Sequence, residues 1–138
     1  MNFDYVKLPG DPSGVIKPYI PVKYHYNGSF TQELLTLIDS GADSNHFTTQ
    51  LADFFSIDWK KLPEDKTFAA NGASFSNYAF NKTLTSEIGG NKLEVKSVYF
   101  SPDLAGAFPL ILGQRDFFDL CRITFERYKR NIDLRIVK

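Results

Sequence analysis

Leu34-Leu35-Thr36-Leu37-Ile38-Asp39-Ser40-Gly41-Ala42 is the stretch on which the reading of the whole chain turns. Its first five residues include four large aliphatic side chains and run straight into a carboxylate. The run is too short for an ordinary helix and too apolar for a surface loop, so it predicts a strand buried on both faces. Asp39-Ser40-Gly41 is turn chemistry. A carboxylate at the end of a buried strand is delivered into the molecule. Burying it unpaired costs on the order of several kcal/mol, so something must share its proton or donate hydrogen bonds to it. Ser40 Oγ and the amides of Gly41 and Ala42 are the nearest candidates.

Composition sets the frame around this stretch. A chain of 138 residues has the length of one domain, read as 1–138, with 1–18 an N-terminal extension or strand. Sixteen basic and sixteen acidic residues cancel, so nothing favours nucleic acid or an anionic membrane as a partner. An apolar content of 43 % with 13 Phe supplies a core and argues against disorder. Cys121 is the sole cysteine, so no disulfide forms within the chain. Met1–Tyr5 lacks the basic-then-apolar pattern of a signal peptide, and no segment is long and apolar enough for a spanning helix. A reducing, cytoplasmic setting is the resulting expectation. Asn27-Gly28-Ser29 and Asn81-Lys82-Thr83 fit the glycosylation pattern, but in that setting they read as turns.

Outward from the opening stretch, the pattern is mostly short strands. A strand is expected at 3–8, before Pro9-Gly10-Asp11-Pro12. Residues 19–26 alternate and meet Asn27-Gly28, a hairpin signal whose return strand is 29–38. Leu51, Phe54 and Phe55 at helical spacing predict a short helix over 48–56 with a Thr cap. Lys60–Lys66 is a charged connector. Residues 67–80 form a hairpin with a tip of small residues, and 82–88 with 92–100 flank the turn Gly89-Gly90-Asn91. Leu110-Ile111-Leu112-Gly113 is a second short buried strand. A helix is expected over 114–120, and a final hairpin joins 121–127 to 131–137. Eight to ten strands and two short helices make a mainly β, closed barrel-like domain.

Two pieces of this pattern resemble the signature of retropepsin-like aspartic proteases. One is the apolar run into Asp39-Ser40-Gly41-Ala42. The other is Ile111-Leu112-Gly113, which ends 74 residues beyond Asp39 (113 − 39). The continuation Gln114-Arg115-Asp116-Phe117-Phe118 and Arg122-Ile123-Thr124-Phe125 resembles the C-terminal half of small bacterial and retroviral-type members. The likeness spans about 19–137. It departs in two places: Ser40 stands where Thr is commoner, and Gln114 stands where many members carry Arg. That Arg often pairs with the acid four residues after the active-site Asp, here Asp43, and Arg115 is the substitute.

The resemblance implies the acid protease fold with a flap hairpin whose tip is Ala70, Asn71, Gly72 and Ala73. It implies Asp39 as the catalytic residue, with Ser40, Gly41 and Ala42 supporting its loop and Ile111, Leu112 and Gly113 crossing beside it. One Asp-Ser-Gly in a chain of this length supplies half a site, so a C2 homodimer is implied, with the two Asp39 carboxylates meeting on the axis. They would share one proton and activate a water against a peptide bond. An extended polypeptide is the implied substrate, and no metal or cofactor is called for. Ser40 would lock the two loops across the dimer, and Ile38, Phe75 and Leu110 are candidates for lining pockets. Either the C-terminal strand 131–137 or the N-terminal strand would form the dimer sheet.

Other readings of the same residues are blander. The fold could serve as a peptide-binding or dimerisation module with little activity, or be an unrelated β-barrel binding domain. Asp39, Asp43 and Asn45 lack the remainder of a calcium loop. His25 and His46 have no Ser/His/Asp spacing and read as surface or hydrogen-bonded structural residues. Cys121 reads as a small core hydrophobe, and the pairs Phe54-Phe55 and Phe117-Phe118 as core.

Overall fold

Asn27 and Gly28 both take positive φ, +50° and +84°, the conformation a tight Asn-Gly hairpin requires. They join β2 (Tyr19–Tyr26) to β3 (Ser29–Phe30), and β4 (Leu34–Ile38) then returns along the first half of β2. The expected single return strand 29–38 is thus broken in two. At the break, the Thr31 hydroxyl accepts the Tyr24 N–H (3.0 Å) and donates to the Gln32 carbonyl (2.7 Å), a local bond that competes with the ladder. The structure, a computed structural model, describes residues 1–68, 72–104 and 110–137.

The remaining strands follow in order: β5 (Asn45–Thr48), β6 (Glu64–Phe68), β7 (Ser74–Phe80), β8 (Leu84–Ile88), β9 (Asn91–Val95), β10 (Val98–Ser101) and β11 (Leu110–Leu112). With β2–β4 they make one sheet in the spatial order β6-β7-β10-β5-β11-β4-β2-β8-β9, with β3 on β2. Two pairings are parallel, β11 with β4 and β10 with β5. Among the described residues the path does not close on itself, which corrects the expected closed barrel. Its two end strands carry Glu64, Asp65 and Lys66 on one side and Lys92 and Glu94 on the other. Charges of this kind keep a sheet edge solvated and unpaired. A second sheet, of three strands, holds β1 (Asn2–Asp4), β13 (Asn131–Ile136) and β12 (Cys121–Glu126), with β13 in the middle. β1 is shorter than the strand expected at 3–8; beyond it Val6 makes a lone bridge to Lys17.

The core lies between the strand faces. Tyr24, Phe47 and Phe100 have no exposed surface. The Tyr24 ring meets Phe47 edge-on at 5.1 Å, and its hydroxyl shares a 2.7 Å hydrogen bond with the buried Thr36 hydroxyl. That bond satisfies both polar groups inside an otherwise apolar interior. Strand β4 is buried on one face only. Thr36 and Ile38 are inside, whereas Leu35 and Leu37 are half-buried. The expectation of burial on both faces is corrected accordingly.

The two helices fared differently. Helix α1 (Thr49–Phe54) forms inside the expected span, with the Thr48 hydroxyl accepting the Gln50 N–H at 3.3 Å. Leu51, Ala52 and Phe55 pack inward, but Phe54 is 55 % exposed and is not core. The expected helix over 114–120 is absent. Tight turns lead to one 3-10 turn at Phe118–Leu120. Asp116 sits at φ +67°, outside the helical region, and its Oδ2 accepts the N–H groups of Lys96 (2.9 Å) and Ser97 (2.7 Å). A clamp to a distant turn overrides local helix preference. Phe117 is fully buried there and Phe118 half-buried.

Candidate active site

Strands β4 and β11 run side by side in parallel and end together. Leu37 pairs with Ile111 and Ile38 with Leu112. At the end of β4 the Asp39 N–H donates to the Leu112 carbonyl (3.0 Å), so β11 fixes where the carboxylate emerges. The chain then turns. The Ala42 N–H donates to the Asp39 carbonyl (3.2 Å) and the Gly41 N–H to Asp39 Oδ1 (2.9 Å). Of the donors expected for this carboxylate, Gly41 supplies the side-chain bond. Asp39 is half-buried, and Ser40 and Gly41 are exposed. The single chain thus presents the carboxylate at its surface, not in its interior.

The segment after β11 braces this loop from behind. Gly113 passes so close that a Cβ there would collide with the backbone carbonyls of Ala42 and Ser44. Only glycine lets the two segments approach. The Gln114 N–H donates to the Ala42 carbonyl (2.8 Å) and the Arg115 N–H to the Asp43 carbonyl (2.9 Å). Gln114 Nε2 reaches the Ser40 carbonyl at 2.7 Å. At the centre is Asn45, with no exposed surface. Its Oδ1 accepts the Gly113 N–H (3.0 Å), and its Nδ2 donates to the carbonyls of Ser97 and Arg115 (both 3.1 Å). In the sequence Asn45 stands out only beside Asp39 and Asp43, as part of an incomplete calcium loop. Its real signal is a carboxamide entering a strand otherwise bound for the core.

The predicted pair Asp43 and Arg115 is brought together by backbone only. No ion pair joins their side chains among the described residues. Gln114, at the position where the resemblance implied Arg, holds the loop through the Ser40 carbonyl.

Asp39 borders a cleft of about 790 Å³. Leu37, Phe75, Tyr99 and Ile111 form apolar walls, and Asp43, His46, Asp65, Asn77, Asp103 and Arg115 supply polar groups. Phe75 lines the cleft as expected. Ile38 and Leu110 do not line it; both lie in the core. Strand side chains alternate, so the neighbours Leu37 and Ile111 face the cleft in their place. His46 stacks on Tyr99 (5.4 Å, 17° between ring planes) and is hydrogen-bonded by the Asn77 side chain. Burial pushes its imidazole below the ordinary value, against weaker opposing pulls from Asn77, Asp39 and Asp43. His25, by contrast, pairs with Glu87 at 2.9 Å away from the cleft.

The hairpin of β6 and β7 borders the same cleft. Its strands pair from Glu64↔Tyr78 to Phe68↔Ser74. The predicted tip residues Ala70 and Asn71 lie outside the described residues; Gly72 is described at φ +84°. Among the described residues no group of three or more His, Cys, Asp or Glu could hold a metal ion.

The fold has counterparts among solved structures. A retropepsin-like aspartic protease from Rickettsia conorii matches with a TM-score of 0.63 over 98 % of both chains at 16 % identity. The fold is retropepsin-like. EIAV protease, complexed with the inhibitor HBY-793, matches 75 % of this chain and 88 % of its own with a TM-score of 0.54 and 18 % identity. No protein-family model matches the chain, and no curated protein matches it in sequence. In this retropepsin-like frame the chain has few helices, and none among the described residues is long and apolar enough to cross a membrane.

Proposed function

We propose that the chain, read as a single domain, is one half of a homodimeric aspartic endopeptidase, with Asp39 and the partner's Asp39 forming the catalytic dyad. The observation that carries this reading is the surface presentation of Asp39. A carboxylate held by the Gly41 N–H, on a loop braced by Gly113, Gln114 and Asn45, stands at the mouth of a substrate-sized cleft. Ser40 and Gly41 beside it are exposed and available to a second copy. Two such carboxylates in contact cannot both ionise, so they hold one proton between them and titrate as a unit. The ionised member takes a proton from a water lying between them. That water attacks the scissile carbonyl, and the protonated member donates to the carbonyl oxygen.

The cleft walls and the β6–β7 hairpin suit an extended peptide bound by main-chain hydrogen bonds. The hairpin, with its tip at Ala70–Ala73, would act as the flap. Ser40, Gly41 and Ala42 serve as loop support and Ile111, Leu112 and Gly113 as the crossing strand. A second reading, a peptide-binding module with little turnover, draws on the missing Asp43–Arg115 ion pair.

Incubation with a peptide library from about pH 4 to pH 7 decides between them, with products read by mass spectrometry. Asp39→Asn keeps the size of the side chain but cannot carry the shared proton. Its turnover is expected to fall about a thousandfold or more while the fold and dimer persist. Equal cleavage by wild type and Asp39→Asn would refute the dyad. No cleavage by either, with the dimer present, would favour the binding module.

A further inference from the structure

Strand β12 is the outer strand of the three-stranded sheet, and no strand lies against its other edge among the described residues. The Val137 N–H donates to the Leu120 carbonyl (2.9 Å), just beyond the last β12–β13 pair. Hydrogen-bonded and non-hydrogen-bonded pairs alternate along an antiparallel ladder. Arg122, Thr124 and Glu126 therefore turn their main-chain groups toward β13, and Cys121, Ile123 and Phe125 offer theirs at the free edge. Such an edge is a template for another strand unless charges, Pro or a bulge protect it; Cys121–Glu126 has no Lys, Pro or bulge, and its two charges, Arg122 and Glu126, are opposite in sign, so an antiparallel copy can meet them.

The edge also lies beside the candidate dyad. Phe125, 37 % exposed, lines the same small hollow as Asp39 and Ser40. The acid of this edge has partners within the chain, since Glu126 Oε2 lies 3.5 Å from Lys129 Nζ and accepts the Tyr128 hydroxyl at 3.2 Å, but its base does not. Arg122 faces Arg135 across the ladder, and like charges so placed repel. Among the described residues Arg122 has no ion-pair partner, whereas Arg135 reaches Asp133 at 3.6 Å.

We propose that β12 pairs antiparallel with β12 of a second copy across a two-fold axis, making a continuous six-stranded sheet. Thr124 faces the partner's Thr124, Ile123 faces the partner's Phe125, and Arg122 faces the partner's Glu126. The proposal rests on the homodimer reading above and names its seam. The register follows from parity. Only residues offering main-chain groups at the free edge can exchange hydrogen bonds, so Cys121, Ile123 and Phe125 must meet their own kind. Centring on Ile123 leaves Arg122 opposite the partner's Thr124. Centring on Thr124 gives each Arg122 a carboxylate, twice by symmetry. Strand β13 cannot be the seam, because β1 and β12 already occupy its two edges.

Charge exchange tests the register. Arg122→Glu alone sets Glu against Glu at both positions, and Glu126→Arg alone sets Arg against Arg. Each variant is expected to sediment as a monomer at micromolar concentrations where the wild type is a dimer, and to keep the wild-type circular dichroism. Mixed in equal amounts they restore opposite charges at both positions and are expected to form a heterodimer. A variant that needs no charge change gives a second readout. Thr124→Cys in a Cys121→Ser background is expected to form a disulfide-linked dimer on mild oxidation, since non-hydrogen-bonded pairs bring side chains closest. Single variants that dimerise like the wild type, a mixture that stays monomeric, or a Thr124→Cys chain that does not cross-link would each overturn the register while leaving the homodimer standing. A wild type monomeric throughout would overturn both.

Discussion

Asn45 and His46 are adjacent in the chain and face opposite ways, one into the brace behind the Asp39 loop and one into the cleft in front of it. Asn45→Ala would strand the buried Gly113 N–H, whereas the carbonyls of Ser97 and Arg115 each lose one of two bonds and keep the N–H groups of Asn45 and Phe117. A buried unsatisfied group costs about 1–3 kcal/mol, so a loss of about 2 kcal/mol is expected in urea unfolding monitored by circular dichroism. His46 makes a prediction about pH. Its folded value is pushed below the ordinary 6.5, first by burial, so the unfolded chain binds the proton more readily than the folded one. The stability this contributes is complete above about pH 6.5 and is lost as pH falls through that value toward the folded one. His46→Gln should flatten this part of the stability–pH profile, measured as thermal midpoints at stepped pH. An unchanged slope would show that another group carries it.

At the scale of elements, Asp116 does what a helix over 114–120 would have done: it fixes how β11 is joined to β12. Its carboxylate takes two amides from the turn between β9 and β10, and charge-assisted bonds of this kind are the stronger ones. Asp116→Ala loses both and places a Cβ-bearing residue without a polar side chain at φ +67°. The expected cost is about 2 kcal/mol, read from denaturant midpoints, and on the proposed protease reading turnover falls further because Gly113 and Gln114 hang on the same turn. If stability is unchanged but turnover falls, the clamp positions the loop without holding up the fold.

For the whole molecule, the decisive feature is that one chain supplies one Asp39 at its surface. If the dyad is shared between copies, activity per chain must fall on dilution through the dimer dissociation constant, with no change in circular dichroism. Activity per chain that is independent of concentration, down to amounts where sedimentation shows only monomer, would place the chemistry in one chain. Cys121 is a bystander in this. It is half-buried, and burial pushes its thiol up to about 11, so it stays protonated at neutral pH and should react slowly with thiol reagents.

The sequence by itself determined the local features. The Asn27-Gly28 turn, the Thr48 cap, the strand running into Asp39 and the crossing element at Ile111–Gly113 were all legible, because each depends on residues within a few positions of one another. The retropepsin-like order of elements was what the resemblance carried by two of these implied. Only the tertiary structure decided which side of a strand faces the cleft, since shifting by one residue exchanges Leu37 for Ile38 and Ile111 for Leu110. It also decided that Phe54 is exposed, that 114–120 is turns and one 3-10 turn instead of an α-helix, and that the main sheet does not close among the described residues. Asn45, His46, Gln114 and Asp116 drew their roles from partners 31 or more residues away or, for Asp116, about 20. Hydrogen bonds of that reach leave no periodic trace in the chain, because what selects the residue is a donor or acceptor that arrives only when the fold closes.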